Sequence, residues 1–274
     1  MQDDPLSQRA WHLLELRQHE RAEAMARRAV AADPDDPWAW QLVAHAAFGQ
    51  GKRQAARDAC LEALRVDACN DRALNLLAWV YYAADQHAAA AKAAEAAVAI
   101  APDDPDHLQL LADIRIQTGE HGTALAHADH ALRLYPEHVG ALNARGDALA
   151  LLGKKDEAEQ CYQRALAIEP ESRQSQLNLG WLQQVRGRRA EAAKHYREVL
   201  RSDAGHQTAR ELLFRVNPRE AIRYHGARRW VARIVRGAGP LLTIFLLLPL
   251  VALTILLPAA VVGFLLLRLF GVLV

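Results

Sequence analysis

Apolar and polar positions over residues 3–206 follow two superposed periods: helical spacing within short runs, and a return of each pair of runs after 34 residues. Prolines punctuate the long period. Pro34, Pro102, Pro136 and Pro170 fall on one grid, and Ala68 and Ala204 fill its remaining slots. With that slot as position 32, six units run without insertion: 3–36, 37–70, 71–104, 105–138, 139–172 and 173–206. Position 20 is alanine throughout, at Ala22, Ala56, Ala90, Ala124, Ala158 and Ala192. Position 8 is always small, at Ala10, Ala44, Ala78, Ala112, Gly146 and Gly180. Position 27 reads Ala29, Ala63, Ala97, Ala131, Ala165 and then Val199, and position 15 holds Gly51, Gly119, Gly153 and Gly187. The pattern predicts two antiparallel helices per unit with a turn at position 15. Small residues at positions 8 and 20 let the two helices approach closely. The proline slot ends the second helix, because the residue before a proline is pushed out of the α region. Pro37 and Pro105 begin first helices behind Asp36 and Asp104 as N-caps. No single unit can bury its apolar face alone, whereas a stack of units shares one continuous core.

On these slots the sequence resembles the tetratricopeptide repeat family over residues 3–206, about three quarters of the chain. The family pattern has a large residue at position 4, a small one at 8, a bulky one at 11, alanine at 20, a bulky residue at 24, alanine at 27 and proline at 32. The chain departs from it at position 11 with Arg115 and Gln183, at 24 with Ala26, Ala94 and Ala128, and at 4 with Gln176. Looser packing of the same fold is the expected consequence. The resemblance implies an all-α fold, a right-handed superhelical solenoid of six helix-turn-helix repeats. Residues 207–217 read as one further first helix that caps the array, with Phe214 in the slot that is small elsewhere, and Pro218 ends it.

Beyond Pro218 the pattern changes. Residues 219–236 carry six arginines, and from Gly226 onward they form a short basic amphipathic helix at about 100° per residue. Ala227, Trp230, Val231, Ile234 and Val235 share its apolar face, with Arg228, Arg229, Arg233 and Arg236 opposite or at the edge; Arg223 precedes them. Such a segment is expected to lie at a membrane interface, with Trp230 at headgroup depth. Residues 240–274 are almost purely apolar, and no charge occurs from Pro240 to Leu267. A run of that length predicts a membrane anchor resembling a tail anchor. A straight helix over it reaches about 42 Å against a hydrocarbon core of about 30 Å. Pro258 therefore favours a re-entrant hairpin of 241–257 and 259–274 slightly over one kinked span. The arginines before the anchor place the neck and the repeats in the cytoplasm, and the alanine- and arginine-rich composition suggests a bacterial inner membrane.

Charge sharpens this division. From Arg219 onward seven arginines face one acid, so the net +1 of the chain splits into +6 for the tail and −5 for the body. No basic stripe covers the body, and nucleic acid is not an expected partner. The three cysteines, Cys60, Cys69 and Cys161, form no CxxC pair and are expected to be reduced thiols. The first residues lack a basic and then apolar stretch, so a secretory signal is not expected. No phosphate-loop, nucleophile-elbow, zinc-protease or dinucleotide motif occurs. His127 and His130 lie about one turn apart on a helix, with His121 nearby, but the sequence fixes no third ligand for such a pair, and no cofactor, metal or enzymatic activity is expected.

By the resemblance, first-helix positions 2, 5, 9 and 12 face a concave groove and touch peptides. Position 9 gives Trp11, His45, Trp79, Asp113, Asp147 and Trp181; position 5 gives Gln41, Asn75, Gln109 and Asn143. Position 2 adds Trp38 and Arg72, and position 12 adds Phe48 and Tyr82. Amides can bond a peptide backbone whatever its sequence, and tryptophans bring large contact area. The lysine-based clamp that some members use for a C-terminal carboxylate is missing, with only Arg72 and Asn75 approaching it. The expected function is a membrane-anchored scaffold that binds a partner protein or peptide in this groove, with membrane lipids as partners of the tail. The alternative is a structural subunit of a membrane complex, with the repeats as spacer.

Overall fold

A computed structural model describes residues 4–218, which form thirteen helices. They are α1 (Pro5–Glu15), α2 (His19–Ala32), α3 (Pro37–Gly49), α4 (Arg53–Val66), α5 (Asp71–Ala83), α6 (His87–Ile100), α7 (Pro105–Gln117), α8 (His121–Leu134), α9 (Val139–Leu151), α10 (Lys155–Ile168), α11 (Arg173–Val185), α12 (Arg189–Ser202) and α13 (Gln207–Val216). The chain divides into two compact units, and α1–α12 belong to the first, which ends at Ser202. Within it, α1 pairs with α2, α3 with α4, and so on to α11 with α12. Each second helix also touches the next first helix, while successive first helices α1, α3, α5, α7, α9 and α11 touch one another directly. The second helices make no comparable contact among themselves within the described residues. First helices therefore line the inner, more closely spaced face of this unit. In the second unit, α13 is N-capped by His206, whose Nδ1 accepts from the Ala209 amide at 3.2 Å, and Phe214 on it is 38% exposed. The basic helix and the anchor expected over 219–274 lie outside the described residues. No helix within the described residues is long and apolar enough to cross a membrane.

The helix ends follow from local chemistry. Asp36 and Asp104 cap α3 and α7 by accepting from the Trp38 and Asp106 amides at 2.9 Å each, with proline as the first helical residue. Asn70 and His138 cap α5 and α9 in the same slot. All six residues at position 15 are left-handed. The four glycines have φ of 74° to 84°, and Arg17 and Asp85 have φ of 55° and 58°. The turn geometry is thus common to all units, and two of them place a side chain where glycine is the unstrained choice.

Positions 8 and 24 face each other and trade volume. Where position 8 is alanine, position 24 is small: Ala10 with Ala26, Ala44 with Cys60, Ala78 with Ala94, Ala112 with Ala128, all wholly buried. Where position 8 is glycine, position 24 is tyrosine. An added Cβ on Gly146 would lie 2.4 Å from Tyr162, and one on Gly180 2.6 Å from Tyr196. The alanines that depart from the family pattern are therefore half of a matched pair, and the expected loosening does not follow from them. The polar residues at position 11 are also matched. Gln183 donates to Glu159 Oε1 at 2.7 Å, and Arg115 bonds Glu95 and, at 2.6 Å, Glu120. At position 4, Gln176 meets His195 Nδ1 at 2.8 Å.

One acid joins the first two repeats. Glu23 on α2 receives Arg27 at 2.7 Å, and from the next repeat Gln50 at 2.7 Å and Lys52 at 3.0 Å. Burial by itself would raise this carboxyl, but the hydrogen bonds from Arg27, Lys52 and Gln50 outweigh it and hold it at about 2.

Candidate peptide-binding groove

Positions 5 and 9 lie one turn apart on each first helix, so their side chains share one face. The α7 pair demonstrates it, since Gln109 donates its amide to Asp113 Oδ2. Because the first helices sit side by side, these faces join into one strip across α1 to α11. Its chemistry changes along its length.

The first half is aromatic. Trp11 and Trp38 contact across the first repeat junction, ring centroids 5.6 Å apart, and Trp11 stays 43% exposed. Trp79 meets Tyr82 edge-on at 5.8 Å, and Tyr82 meets His87 at 6.0 Å. His45 and Phe48 are half-buried between them in sequence, and burial pushes the His45 imidazole down, favouring its neutral form. Arg72 is exposed.

The second half is acidic. Asp113 on α7 and Asp147 on α9 occupy position 9 of adjacent first helices and are both half-buried. Burial, joined by the like charge of Asp147 and opposed by the Gln109 hydrogen bond, pushes Asp113 up to about 8. Burial also pushes Asp147 up to about 6, against hydrogen bonds from Tyr162 at 2.6 Å and Asn178 at 2.9 Å. Tyr82 senses this field from α5. Burial, the negative charge of Asp113 and those of Asp147 and Asp85 raise its hydroxyl to about 12, against a hydrogen bond involving Gln117. Trp181 ends the row, 37% exposed.

The amides of position 5 form a third feature. Gln41 is 4% exposed and donates to Asn70, yet its Oε1 has no hydrogen-bond partner. Asn75 Oδ1 and Asn143 Oδ1 are likewise buried and unpartnered, Asn143 being 6% exposed. Buried acceptors are normally satisfied, and these three orphans fall in equivalent slots of α3, α5 and α9.

Of the expected residues the structure brings Trp11 to Trp38, Trp79 to Tyr82 and Gln109 to Asp113, and it leaves Trp11, Trp181 and Arg72 exposed. Sequence reasoning missed Tyr162, Asn178, Gln117 and Asn70. Tyr162 was signalled by its occupancy of position 24 opposite Gly146; Asn178 and Gln117 carry no signal until the first helices are set side by side.

Asp71, Asp104 and His107 bring one ligand atom each within 4.8 Å of one another. Asp104 Oδ1 already caps α7, and His107 sits 3.3 Å from Asp104 and 3.7 Å from Asp71 as an ion-pair geometry. His130 on α8 lies 3.5 Å from Asp103. A cleft of about 410 Å³ opens among α8, α9 and α10, lined by Arg133, Arg145, Arg164 and Cys161. Two of its cations are engaged internally: Arg145 bonds Asp129 at 2.7 Å and Cys161 Sγ at 3.0 Å, and Arg164 bonds the Pro136 carbonyl at 2.7 Å. All three cysteines are unpaired, and burial pushes the Cys60 thiol up to about 12.

A family model described as tetratricopeptide repeat matches residues 7–71, 42–105 and 110–175. The chain belongs to the tetratricopeptide repeat family. Members of this family are generally non-enzymatic scaffolds for protein–protein contact, and that is the function of the repeats at this level of description. Among solved structures, a chain of the Cut9–Hcn1 hetero-tetramer of the APC/C superposes with a TM-score of 0.70 at 18% identity, over 77% of this chain. This chain spans 42% of the length of that one. The type IV pilus biogenesis factor PilW matches with a TM-score of 0.64 at 16% identity, over 76% of this chain and 96% of its own. A thermophilic tetratricopeptide repeat protein of Thermus thermophilus matches with a TM-score of 0.61 at 22% identity, over 66% of this chain and 98% of its own. At these identities the likeness establishes the fold. Comparison with curated proteins gave no significant match.

Proposed function

We propose that this tetratricopeptide repeat chain is a membrane-tethered scaffold whose first-helix groove binds an extended segment of a partner protein. The observation that carries the groove reading is the row of unpartnered amide oxygens on Gln41, Asn75 and Asn143, flanked by Trp79 and Tyr82. Backbone N–H groups of an extended peptide satisfy such acceptors without regard to side chain, and the neighbouring rings supply contact area. First helices lie about 8–10 Å apart, and an extended chain rises about 3.3 Å per residue, so each repeat accommodates about three peptide residues. A random decapeptide array probed with the full chain tests this. Asn75→Ala with Asn143→Ala is expected to lower peptide affinity at least tenfold while helix content is retained. Equal binding by the variant would remove the groove from the mechanism.

The tether rests on the charge-free stretch from Pro240 to Leu267 and the arginines before it. By the positive-inside rule that arrangement supports repeats on the cytoplasmic side of a bacterial inner membrane. The full chain is expected to stay in the membrane pellet after an alkaline carbonate wash, and a chain ending at Asn217 to be soluble. Release of the full chain by carbonate would sink the tether.

A further inference from the structure

Among the described residues, the groove holds two carboxyls with no cation to meet them. The groups acting on Asp113 are burial, Asp147 and Gln109, and those acting on Asp147 are burial, Tyr162 and Asn178. No basic side chain is among them. The contrast with the other acids of the array is direct. Glu23 receives Arg27 and Lys52, and Glu159 receives Arg186. Glu23 and Glu159 have thus been given cations, whereas this pair has been given only neutral donors.

A second, independent feature points into the same place. Asn143 lies one turn before Asp147 on α9, the first helix that packs on α7. It is 6% exposed, and its Oδ1 has no partner. Once ionised, the two carboxyls join the orphaned carbonyl oxygen as acceptors, and together they suit a donor-rich, positively charged visitor. A lysine ammonium offers three donors and an arginine guanidinium five, and neither accepts. On the aromatic side the site is walled by Tyr82 on α5, itself next to Trp79.

We propose that a lysine or arginine side chain of the bound peptide seats between Asp113 and Asp147, capped by the Asn143 amide oxygen. This rests on the groove reading above and assigns its specificity. The aromatic half then takes apolar residues of the same peptide, about three to six residues away along an extended chain by the spacing of the first helices. The selected segment is therefore basic at one end and apolar at the other. Arrival of the cation favours the ionised form of both carboxyls and displaces a proton from the site. Binding of a basic peptide accordingly strengthens as the pH rises from about 6 to about 8. The other titratable groups facing the pair, the hydroxyls of Tyr82 and Tyr162, stay protonated over that range.

The experiment uses the full chain in detergent micelles and decapeptides with one fixed central position, lysine, arginine, norleucine or glutamate, in random flanks. The wild-type chain is expected to prefer lysine or arginine over norleucine by about tenfold or more, as for a charge-assisted hydrogen bond. The isosteric double variant Asp113→Asn with Asp147→Asn is expected to lose the preference, binding lysine and arginine peptides no more tightly than norleucine peptides. A preference that survives in this variant, or a wild type that binds peptides without one, overturns the cation seat while leaving the groove intact. A wild type that binds no peptide, or an Asn75→Ala, Asn143→Ala variant that binds as well as wild type, overturns the groove reading and the seat with it.

Discussion

Gly146→Ala is expected to lower the thermal unfolding midpoint by about 5–10 °C, corresponding to a loss of about 2–3 kcal/mol. Alanine is normally the better helix former by about 1 kcal/mol, so the sign is opposite to propensity. The reason is steric. The new methyl would meet Tyr162 Cε1 at 2.4 Å and Cδ1 at 2.8 Å. The ring cannot swing aside, because it is wholly buried and its hydroxyl is tied to Asp147 at 2.6 Å. Tyr162→Ala alone should cost about 3–5 kcal/mol through the cavity it leaves. Combining the two recreates the Ala112 and Ala128 pairing of the preceding repeat. The double variant should therefore be more stable than the sum of the single losses predicts, by at least about 1 kcal/mol. Gly122→Ala is the control: a Cβ there meets nothing within 4 Å, and this helical position should gain stability. If Gly146→Ala unfolds with wild type, the matched-volume explanation of positions 8 and 24 is wrong.

Asp113→Asn is expected to stabilise the peptide-free protein at pH 8 by about 1–3 kcal/mol, with the gain fading toward pH 4. Burial and the neighbouring Asp147 raise the folded-state carboxyl to about 8, above its ordinary value of 3.8. The folded protein then holds a proton that the unfolded chain releases. Stability contributed by that proton is present below about pH 4 and drains away as the pH climbs through about 8. Asparagine keeps the shape, cannot ionise, and escapes the loss. Urea midpoints measured at pH 5 and pH 8 read this directly. A variant less stable than wild type at pH 8 would mean that Asp113 is held by a favourable charge interaction. The groove acids thus weaken the empty scaffold, as residues placed for binding often do.

Most of the fold was legible because a repeat states its rules several times. Ala22 and its five equivalents mark the tight helix contact, and Asp36 and Asp104 before proline mark the helix starts. Position 15 was only partly legible. Four glycines announced the left-handed turn, but Arg17 and Asp85 adopt it too, because the flanking helices dictate the geometry and the residue bears the strain. The trade between positions 8 and 24 was present in the letters, yet alanine at position 24 reads as a defect until its partner across the helix pair is known. The groove candidates could be named by register alone. Their pairing could not: Asp147 meets Tyr162 and Asn178 from two other helices, and which amides remain orphaned depends on those meetings.

The most direct test of peptide binding by the first-helix face is photo-crosslinking in the full chain. A benzoylphenylalanine would replace Trp79 on α5 or, separately, the exposed Leu61 on the second helix α4. With a decapeptide selected from the array, the expected result is a crosslink from position 79 and none from position 61. A crosslink from position 61 with none from position 79 would place the binding surface on the second helices and contradict the groove.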